Sequence, residues 1–418
     1  MIFRLLWLLY GIYTIYVVSK PRHMVSFLGI SFIIDAFAQS YGFETLVFRL
    51  GGVSLYAGDM PIMAMVLILI ASKAKLLKSW VTLLWSIMFC MIIFSLVNGL
   101  LTYGVNIYFL SDVRIFLQMS IPIIYFYLRP VSIDKSAEKK FFPYVMILVS
   151  YCFFAWILKL GMGIDISSNQ SLRVFGSTYA FVIAMFCFCN MYNEIAVEQR
   201  GSLSKKSLIL LTTVVVLQHN SVWAAFAAGI ATVLVLNVIW TKPENILVIH
   251  NKKLYAQILI GCVAIVVFLV AFSNSDLVQS LLSTSDKYSQ MGTGEGSIGD
   301  RQTIWVEYLA TLSKNQWLIG KPMGTGWTIW HRGSLGMFPP HNAYVQGVMR
   351  IGLIGVVSLF SLIGTTIVKA IKEKQLLAIG ILTASVVYLY AYMFSWEVSC
   401  IWGIIIGVMW RENDKYLV

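Results

Sequence analysis

The apolar stretch WVTLLWSIMFCMIIFSLVNGLL, Trp80–Leu101, contains no charged residue. A helix rises about 1.5 Å per residue, so a stretch of this length crosses the roughly 30 Å hydrocarbon core of a bilayer. Inside hydrocarbon the backbone must satisfy its own hydrogen bonds, which a helix does. The stretch therefore predicts a transmembrane helix.

Apolar runs of this kind recur along all 418 residues. Hydrophobic residues make up 59% of the chain and charged residues 12%, whereas soluble domains carry about a quarter charged residues. We predict an all-α polytopic membrane protein, a single transmembrane domain over residues 1–418 with about 12–13 spanning helices. The predicted spans are 2–18, 24–40, 60–72, 80–101, 113–129, 141–160, 178–197, 207–219, 221–240, 254–273, 343–368, 376–393 and 395–411.

Basic residues are concentrated in the short loops between these runs, which is the positive-inside distribution. This distribution accounts for the net charge of +12 without nucleic acid as a partner. Loops such as Lys73–Lys78 and Lys369–Lys374 are predicted to be cytoplasmic, as is the C-terminus. The orientation of the first helix pair stays open. Three segments are predicted to face outward: 103–112, 161–178 and 273–342.

The segment 273–342 is long and hydrophilic, and it exceeds an ordinary connection between helices. We predict a helix over Asp300–Ser313, with Asp300 as the N-cap and apolar residues at helical spacing. The glycine-rich piece Gly320–Gly326 predicts tight turns. Tryptophan rings here suit either the membrane interface or the faces of sugars. These tryptophans are Trp305, Trp317, Trp327 and Trp330.

Basic residues on the outward side are the first candidates for function, because the charge bias runs against them there. Arg173 precedes an apolar run, and Arg301 begins the predicted loop helix. A guanidinium can hold a phosphate with two parallel hydrogen bonds. The structural alternatives are an Arg173 that snorkels to headgroups and an Arg301 that pairs with a neighbouring carboxylate. Arg114 and Arg332 are further outward cations.

His341 stands in PPHNAY, where the long segment returns to the membrane. Imidazole can take a proton from a hydroxyl near neutral pH, so His341 is a candidate general base. Asn342 and Tyr344 are polar neighbours. The alternative is a histidine that caps the following helix or lies at the interface.

Three further features admit more than one interpretation. Gly324 and Gly326 permit close backbone approach, but their spacing does not match a P-loop. Asp112 and Arg114 are predicted to form a local charge pair or to anchor the end of a span, and the less favoured alternative is a role in the outward cavity. His219, in the polar stretch QHNS, lies either in a hairpin turn or on the floor of an outward cavity.

Together these motifs resemble the O-antigen ligase and polymerase superfamily of bacterial envelope glycosyltransferases. The matching pieces follow one another over Ser171–Gly355, and the hydropathy layout extends the match over the whole chain. They are Arg173 in RVFG, Asp300-Arg301 followed by Trp305, Gly320 with the GTGW turn, and His341-Asn342 followed by Tyr344, Gly352 and Gly355.

The resemblance implies a GT-C-like helical fold with a large periplasmic loop over 273–342. It implies transfer from an undecaprenyl-pyrophosphate-linked oligosaccharide at the periplasmic face of the bacterial inner membrane, with no metal and no cofactor. Arg173 and Arg301 would stabilise the leaving pyrophosphate, and His341 would deprotonate the acceptor hydroxyl, giving inversion. The implied substrate contacts are Arg114, Arg332, Asn342, Tyr344, Gly324, Gly326 and His219.

The chain departs from the family pattern at Asn220, where an arginine is usual, and at Arg350, which is often acidic in the ligase branch. These departures and the abundance of tyrosine and tryptophan favour a polysaccharide polymerase for O-antigen or exopolysaccharide. Its expected partners are lipid-linked donor and acceptor, membrane lipids, a chain-length regulator and a flippase. The alternative is an O-antigen ligase of lipopolysaccharide synthesis, with lipid A core as acceptor. A transporter or flippase would instead show repeated halves and broken helices.

Overall fold

The structure is a computed structural model, and it is mostly helical. It describes residues 2–41, 46–50, 53–73, 79–130, 135–164, 174–199, 202–217, 219–240, 296–331 and 334–411. The helices are α1 Ile2–Ser19, α2 Met24–Tyr41, α3 Asp59–Ala71, α4 Trp80–Tyr103, α5 Ile107–Leu128, α6 Lys135–Met162, α7 Ser177–Tyr192, α8 Lys205–Val216, α9 Asn220–Trp240, α10 Gly296–Ala310, α11 Lys314–Ile319, α12 Ala343–Lys372, α13 Leu376–Leu389 and α14 Trp396–Arg411. The strands are β1 Leu46–Leu50, β2 Val53–Tyr56, β3 Thr328–His331 and β4 Ser334–Met337.

Six of the described helices are long and apolar enough to cross a membrane, and four shorter apolar helices accompany them. Large apolar side chains remain exposed along them, for example Leu5, Leu8, Ile12 and Ile15 on α1. An apolar surface of this extent is incompatible with water and suits lipid. The chain therefore has the features of an all-α, multi-pass membrane protein. The total of about 12–13 spans and the GT-C arrangement stay predictions.

The helix boundaries follow the predicted spans closely except at the starts of α5 and α6, and α6 begins at Lys135 rather than at 141. Helix α4 extends only two residues beyond the predicted 80–101, whereas α5 begins at Ile107 rather than at 113. Asn106 starts α5 as its N-cap, because its side-chain oxygen accepts a 2.8 Å hydrogen bond from the Phe109 N–H. The start was misplaced because Ser111, Asp112 and Arg114 interrupt the apolar pattern after the apolar first turn of α5. The predicted span 254–273 lies outside the described residues.

In the long predicted loop, residues 273–295, 332 and 333 lie outside the described residues, and much of the described part forms helices and strands. The predicted helix is present as α10, but its predicted bounds Asp300–Ser313 and the N-cap at Asp300 are wrong, because α10 begins at Gly296 and ends at Ala310. A second helix, α11, follows at once, and Ser313 caps it through a reciprocal capping box with Gln316. Strands β3 and β4 then form an antiparallel hairpin, as β1 and β2 do nearer the N-terminus. Neither hairpin was predicted.

The chain divides into two compact units. The first comprises Met1–Ile147, Thr303–Lys372 and Leu389–Val418. Within it, α5 packs closely on α14, where a side-chain carbon at Gly403 would lie 2.5 Å from the Pro122 carbonyl oxygen. The second unit comprises Leu148–Gln302 and Glu373–Tyr388, and within it α7 packs against α8 and α9.

Helix α12 is broken at Gly352, where φ is 64° and ψ is −179°. This backbone conformation is essentially restricted to glycine. The break frees carbonyl groups that a continuous helix would bond internally. One of them, the Met349 carbonyl, accepts a 2.6 Å hydrogen bond from the Lys321 N–H in the segment before β3. The long loop therefore supplies a hydrogen bond that the broken helix lacks.

We expect Gly352→Ala to destabilise the protein strongly. The backbone conformation alone costs about 1–3 kcal/mol for a non-glycine residue, and the added carbon would lie 2.1 Å from the Leu318 carbonyl oxygen. Thermal unfolding in detergent measures the effect. The matched control is Gly364→Ala in the same helix, where an added carbon meets nothing within 4 Å. Equal midpoints for the two variants would contradict a structural role for the break.

Candidate functional site

A buried ion pair lies at the centre of the first unit. The side chain of Arg350, on α12, is fully buried, and its Nε lies 2.9 Å from the Oδ2 of Asp112 on α5. The indole ring of Trp327 lies against the guanidinium at 4.3 Å. A buried charge is tolerated when it is paired and further hydrogen bonded. The pair therefore depends on the groups that surround it.

Those groups come from the glycine-rich segment Gly320–Gly326. The guanidinium of Arg350 donates to the hydroxyl of Thr325 and, at 3.0 Å, to the carbonyl of Gly326. Asp112 accepts a 2.9 Å hydrogen bond from the Gly324 N–H. Gly324 and Gly326 have φ of 95° and 72°, so their predicted tight turns are present. Their close approach is to Arg350 and α5, which accounts for both glycines without a bound sugar.

The prediction that Asp112 pairs with Arg114 is wrong. Arg114 Nε instead lies 2.9 Å from Asp59 Oδ1 at the start of α3, and an Arg114 Nη donates to the Ser54 carbonyl at 2.7 Å. The Tyr56 ring lies 4.2 Å from the same guanidinium. Residues two positions apart on a helix point to different sides, so α5 directs Asp112 and Arg114 to different partners.

His341 lies immediately before α12 and its side chain is exposed. Its φ is 44°, in the left-handed region that non-glycine residues rarely adopt. Such a conformation costs free energy and persists only where neighbouring groups fix it, often at functional sites. The structure thus holds an accessible imidazole in a strained position at the end of a membrane helix.

Two neighbours fix the backbone of His341. The indole N–H of Trp305, on α10, donates to the carbonyl of Pro340. On the other side Asn342 is buried and caps α12, accepting from the Tyr344 and Val345 N–H groups at 2.9 and 3.0 Å. The helix cap is therefore Asn342 and not His341. The amide of Asn342 also donates to the Tyr390 carbonyl at 2.9 Å, so protein groups occupy both ends of this side chain.

We expect Trp305→Phe to loosen the segment around His341 while the fold survives. Phenylalanine keeps a ring that can pack on Tyr390, whose ring lies edge-on to Trp305 at 5.0 Å, but it lacks the indole N–H. Loss of one hydrogen bond of about 1 kcal/mol should accelerate amide exchange several-fold over His341–Val345. Hydrogen–deuterium exchange with mass spectrometry measures this rate. Trp317→Phe is the control, and equal exchange in both variants would contradict the role of Trp305.

The remaining predicted residues occupy separate places. Tyr344 is half-buried and stacks on Phe360 at 4.8 Å. In the second unit, His219 is buried and its Nε2 lies 2.9 Å from the Phe175 carbonyl oxygen, so it belongs to the packed interior at the start of α9. Arg301, on α10, is half-buried and also belongs to the second unit.

Arg173 and Arg332 lie outside the described residues. The convergence of Arg173, Arg301 and His341 on one substrate stays a prediction. Within the described ranges, no group of three or more His, Cys, Asp or Glu side chains is placed to hold a metal ion.

Sequence reasoning missed the role of Arg350. The available signal was an arginine within the apolar run VMRIGLIG, since a charge at membrane depth demands a partner. Lys321 was among the outward basic residues of the sequence, but its contacts were not predicted. Burial and then the positive charge of Arg350 lower the pKa of Lys321, and its Nζ donates to the Thr311 hydroxyl at 2.6 Å. These cations stabilise the segment between α10 and β3.

Comparison with known proteins does not assign the chain to a family. No protein family matches its sequence, and no curated protein matches it. The functional argument therefore rests on the residues, their order along the chain and their geometry.

Proposed function

We propose that this membrane protein is a polysaccharide polymerase. It transfers an undecaprenyl-pyrophosphate-linked glycan chain onto a lipid-linked oligosaccharide repeat unit at the periplasmic face of the bacterial inner membrane. The observation that carries the proposal is His341, an exposed imidazole in a strained backbone between Trp305 and Asn342. This is the kind of rigid placement that general-base catalysis requires.

The proposed chemistry is a displacement at the anomeric carbon. His341 accepts the proton of the acceptor hydroxyl as the hydroxyl oxygen forms a bond to that carbon. The bond from the anomeric carbon to the pyrophosphate oxygen breaks, and the electron pair leaves with the undecaprenyl pyrophosphate. Arg173 and Arg301 would stabilise the charge that develops on the phosphate oxygens. Attack from the face opposite the leaving group inverts the anomeric configuration.

The choice of polymerase over ligase rests on Asn220 and on the aromatic content of the chain. Arg350 now carries less weight in this choice. A carboxylate at position 350 would face the carboxylate of Asp112 in a buried site. The ion pair with Asp112 therefore explains the arginine at this position. The acceptor, lipid-linked repeat unit or lipid A core, is therefore left to experiment.

A transporter is the less favoured alternative after the ligase, and it is considered because α12 is broken at Gly352 and broken helices are typical of transporters. In transporters the freed backbone groups face a substrate cavity. Here the Met349 carbonyl is bonded to the Lys321 N–H. The break is thus explained by contact with the long loop, and the observation favours transport only weakly.

The deciding assay reconstitutes the wild-type protein with lipid-linked oligosaccharide and separates the products by gel electrophoresis. We expect a ladder of chain lengths. Transfer to added lipid A core without a ladder would establish the ligase instead. A third outcome would favour a flippase over an enzyme. In that outcome neither acceptor gives a product, and the oligosaccharide lipid crosses the bilayer of vesicles that contain the protein.

A further inference from the structure

The hairpin β3–β4 has one buried face and one exposed apolar face. Ile329 and His331 are buried, whereas Trp330, on the opposite face of β3, is 67% exposed. Trp330 pairs across the hairpin with Leu335, and both side chains are largely exposed. Met337, whose partner is Thr328, is exposed on the same side. The hairpin therefore presents a tryptophan, a leucine and a methionine together.

A second exposed apolar segment lies beside the base of the hairpin. The turn that joins α4 to α5 exposes most of its large side chains, led by Leu101 at 80% and Ile107 at 76%. Tyr108 links the two segments, because its ring lies 3.4 Å from the position of a side-chain carbon on Gly326. The Asn106 amide also donates to the Gly324 carbonyl at 3.3 Å. We call the combined surface the collar: Leu101, Tyr103, Val105, Ile107, Trp330, Leu335 and Met337.

The short strands of the hairpin limit how far it can extend beyond the start of α5. Its base, Trp327, packs on Arg350, whose partner Asp112 lies roughly 7 Å below the start of α5 at about 1.5 Å per residue. Strands of four residues extend about 13 Å. The end of β3 at His331 can therefore lie at most about 6 Å beyond the first residue of α5, which is within the thickness of a headgroup layer.

We propose that the collar lies in the headgroup layer of the bilayer and anchors the hairpin to the lipid surface. Tryptophan and tyrosine favour this layer, since their rings are apolar and their N–H or O–H group remains hydrated. The collar is continuous with α4 and α5, which are themselves long and apolar enough to span the membrane. The proposal does not depend on the proposed enzyme activity.

Fluorescence quenching by brominated lipids tests the proposal in nanodiscs that hold one protein each. The emission of Trp330 is obtained by subtracting the tryptophan emission of the Trp330→Phe variant from that of the wild type. We expect this difference emission to be mostly lost with bromines near the glycerol backbone and largely kept with bromines at the chain ends. The control is the difference for Trp402→Phe, because Trp402 is fully buried in α14 and should resist both lipids.

Two results would overturn the proposal. If iodide in the water quenches the Trp330 emission and neither bromolipid does, the collar faces solvent. If neither iodide nor the bromolipids quench the Trp330 emission, even after the protein is diluted, another part of the protein or a bound protein partner covers the collar. Should Trp330→Phe fail to fold, Leu335→Trp places a new indole on the neighbouring strand, and its added emission is measured against wild type.

Discussion

Arg350→Met is expected to destabilise the protein by about 3–5 kcal/mol, since it leaves the buried Asp112 carboxylate without its partner. Methionine can fill part of the volume and pack against Trp327. It cannot replace the hydrogen bonds to Thr325 and Gly326, so the glycine-rich segment should also detach from α12. The thermal unfolding midpoint in detergent, followed by tryptophan fluorescence, measures the loss.

The control is Arg114→Met, because Arg114 also pairs with an aspartate but is 27% exposed. Its partner Asp59 is 12% exposed, so the carboxylate left by this variant still reaches water and the midpoint should fall less than in Arg350→Met. Asp112→Leu combined with Arg350→Met removes both charges and should recover part of the stability lost by Arg350→Met alone. A double variant that is no more stable than Arg350→Met would contradict the ion pair as the cause.

The membrane helices could be predicted because their signal is local and long. A run such as 80–101 satisfies its own backbone hydrogen bonds, so length and hydropathy decide its structure without knowledge of its neighbours. The start of α5 was misplaced because Asp112 and Arg114, which lie beyond its apolar first turn, interrupt the hydropathy pattern. A side-chain cap such as that of Asn106 fixes a helix start more firmly than hydrophobicity does.

The partners of the charged residues could not be predicted from the sequence. Asp112 pairs with Arg350 and Arg114 with Asp59, and both partners are distant along the chain. Which helices pack together decides such pairs, and a single sequence does not reveal it. Helical geometry alone could have excluded the Asp112–Arg114 pair, because side chains two residues apart diverge.

The hairpins were missed for a different reason. Strands β3 and β4 have four residues each. The short sequence between Gly326 and Gly333, which contains Trp330, is equally compatible with a turn. So short a strand is stable only when one face packs on neighbouring groups. The buried face includes His331, which packs against Phe338, and this pairing is visible only in the folded chain.

His341→Asn is expected to abolish formation of the polymer ladder while the fold is retained. Asparagine tolerates the left-handed backbone conformation of position 341 better than most residues and has a similar polarity. It cannot accept a proton near neutral pH, so the rate should fall about 10²–10⁴-fold if His341 is the general base. Gel analysis of products from lipid-linked oligosaccharide measures the loss, and binding of the labelled donor shows whether the site remains formed.

Trp305→Phe separates the position of the imidazole from its chemistry in the same assay. Its imidazole is intact, so activity should fall less than in His341→Asn. The decrease should follow the faster amide exchange over His341–Val345, because the Trp305 N–H donates to the Pro340 carbonyl. A ladder that survives unchanged in His341→Asn would exclude the histidine from catalysis. The strained backbone at His341 would then serve only to turn the chain into the Asn342 cap of α12.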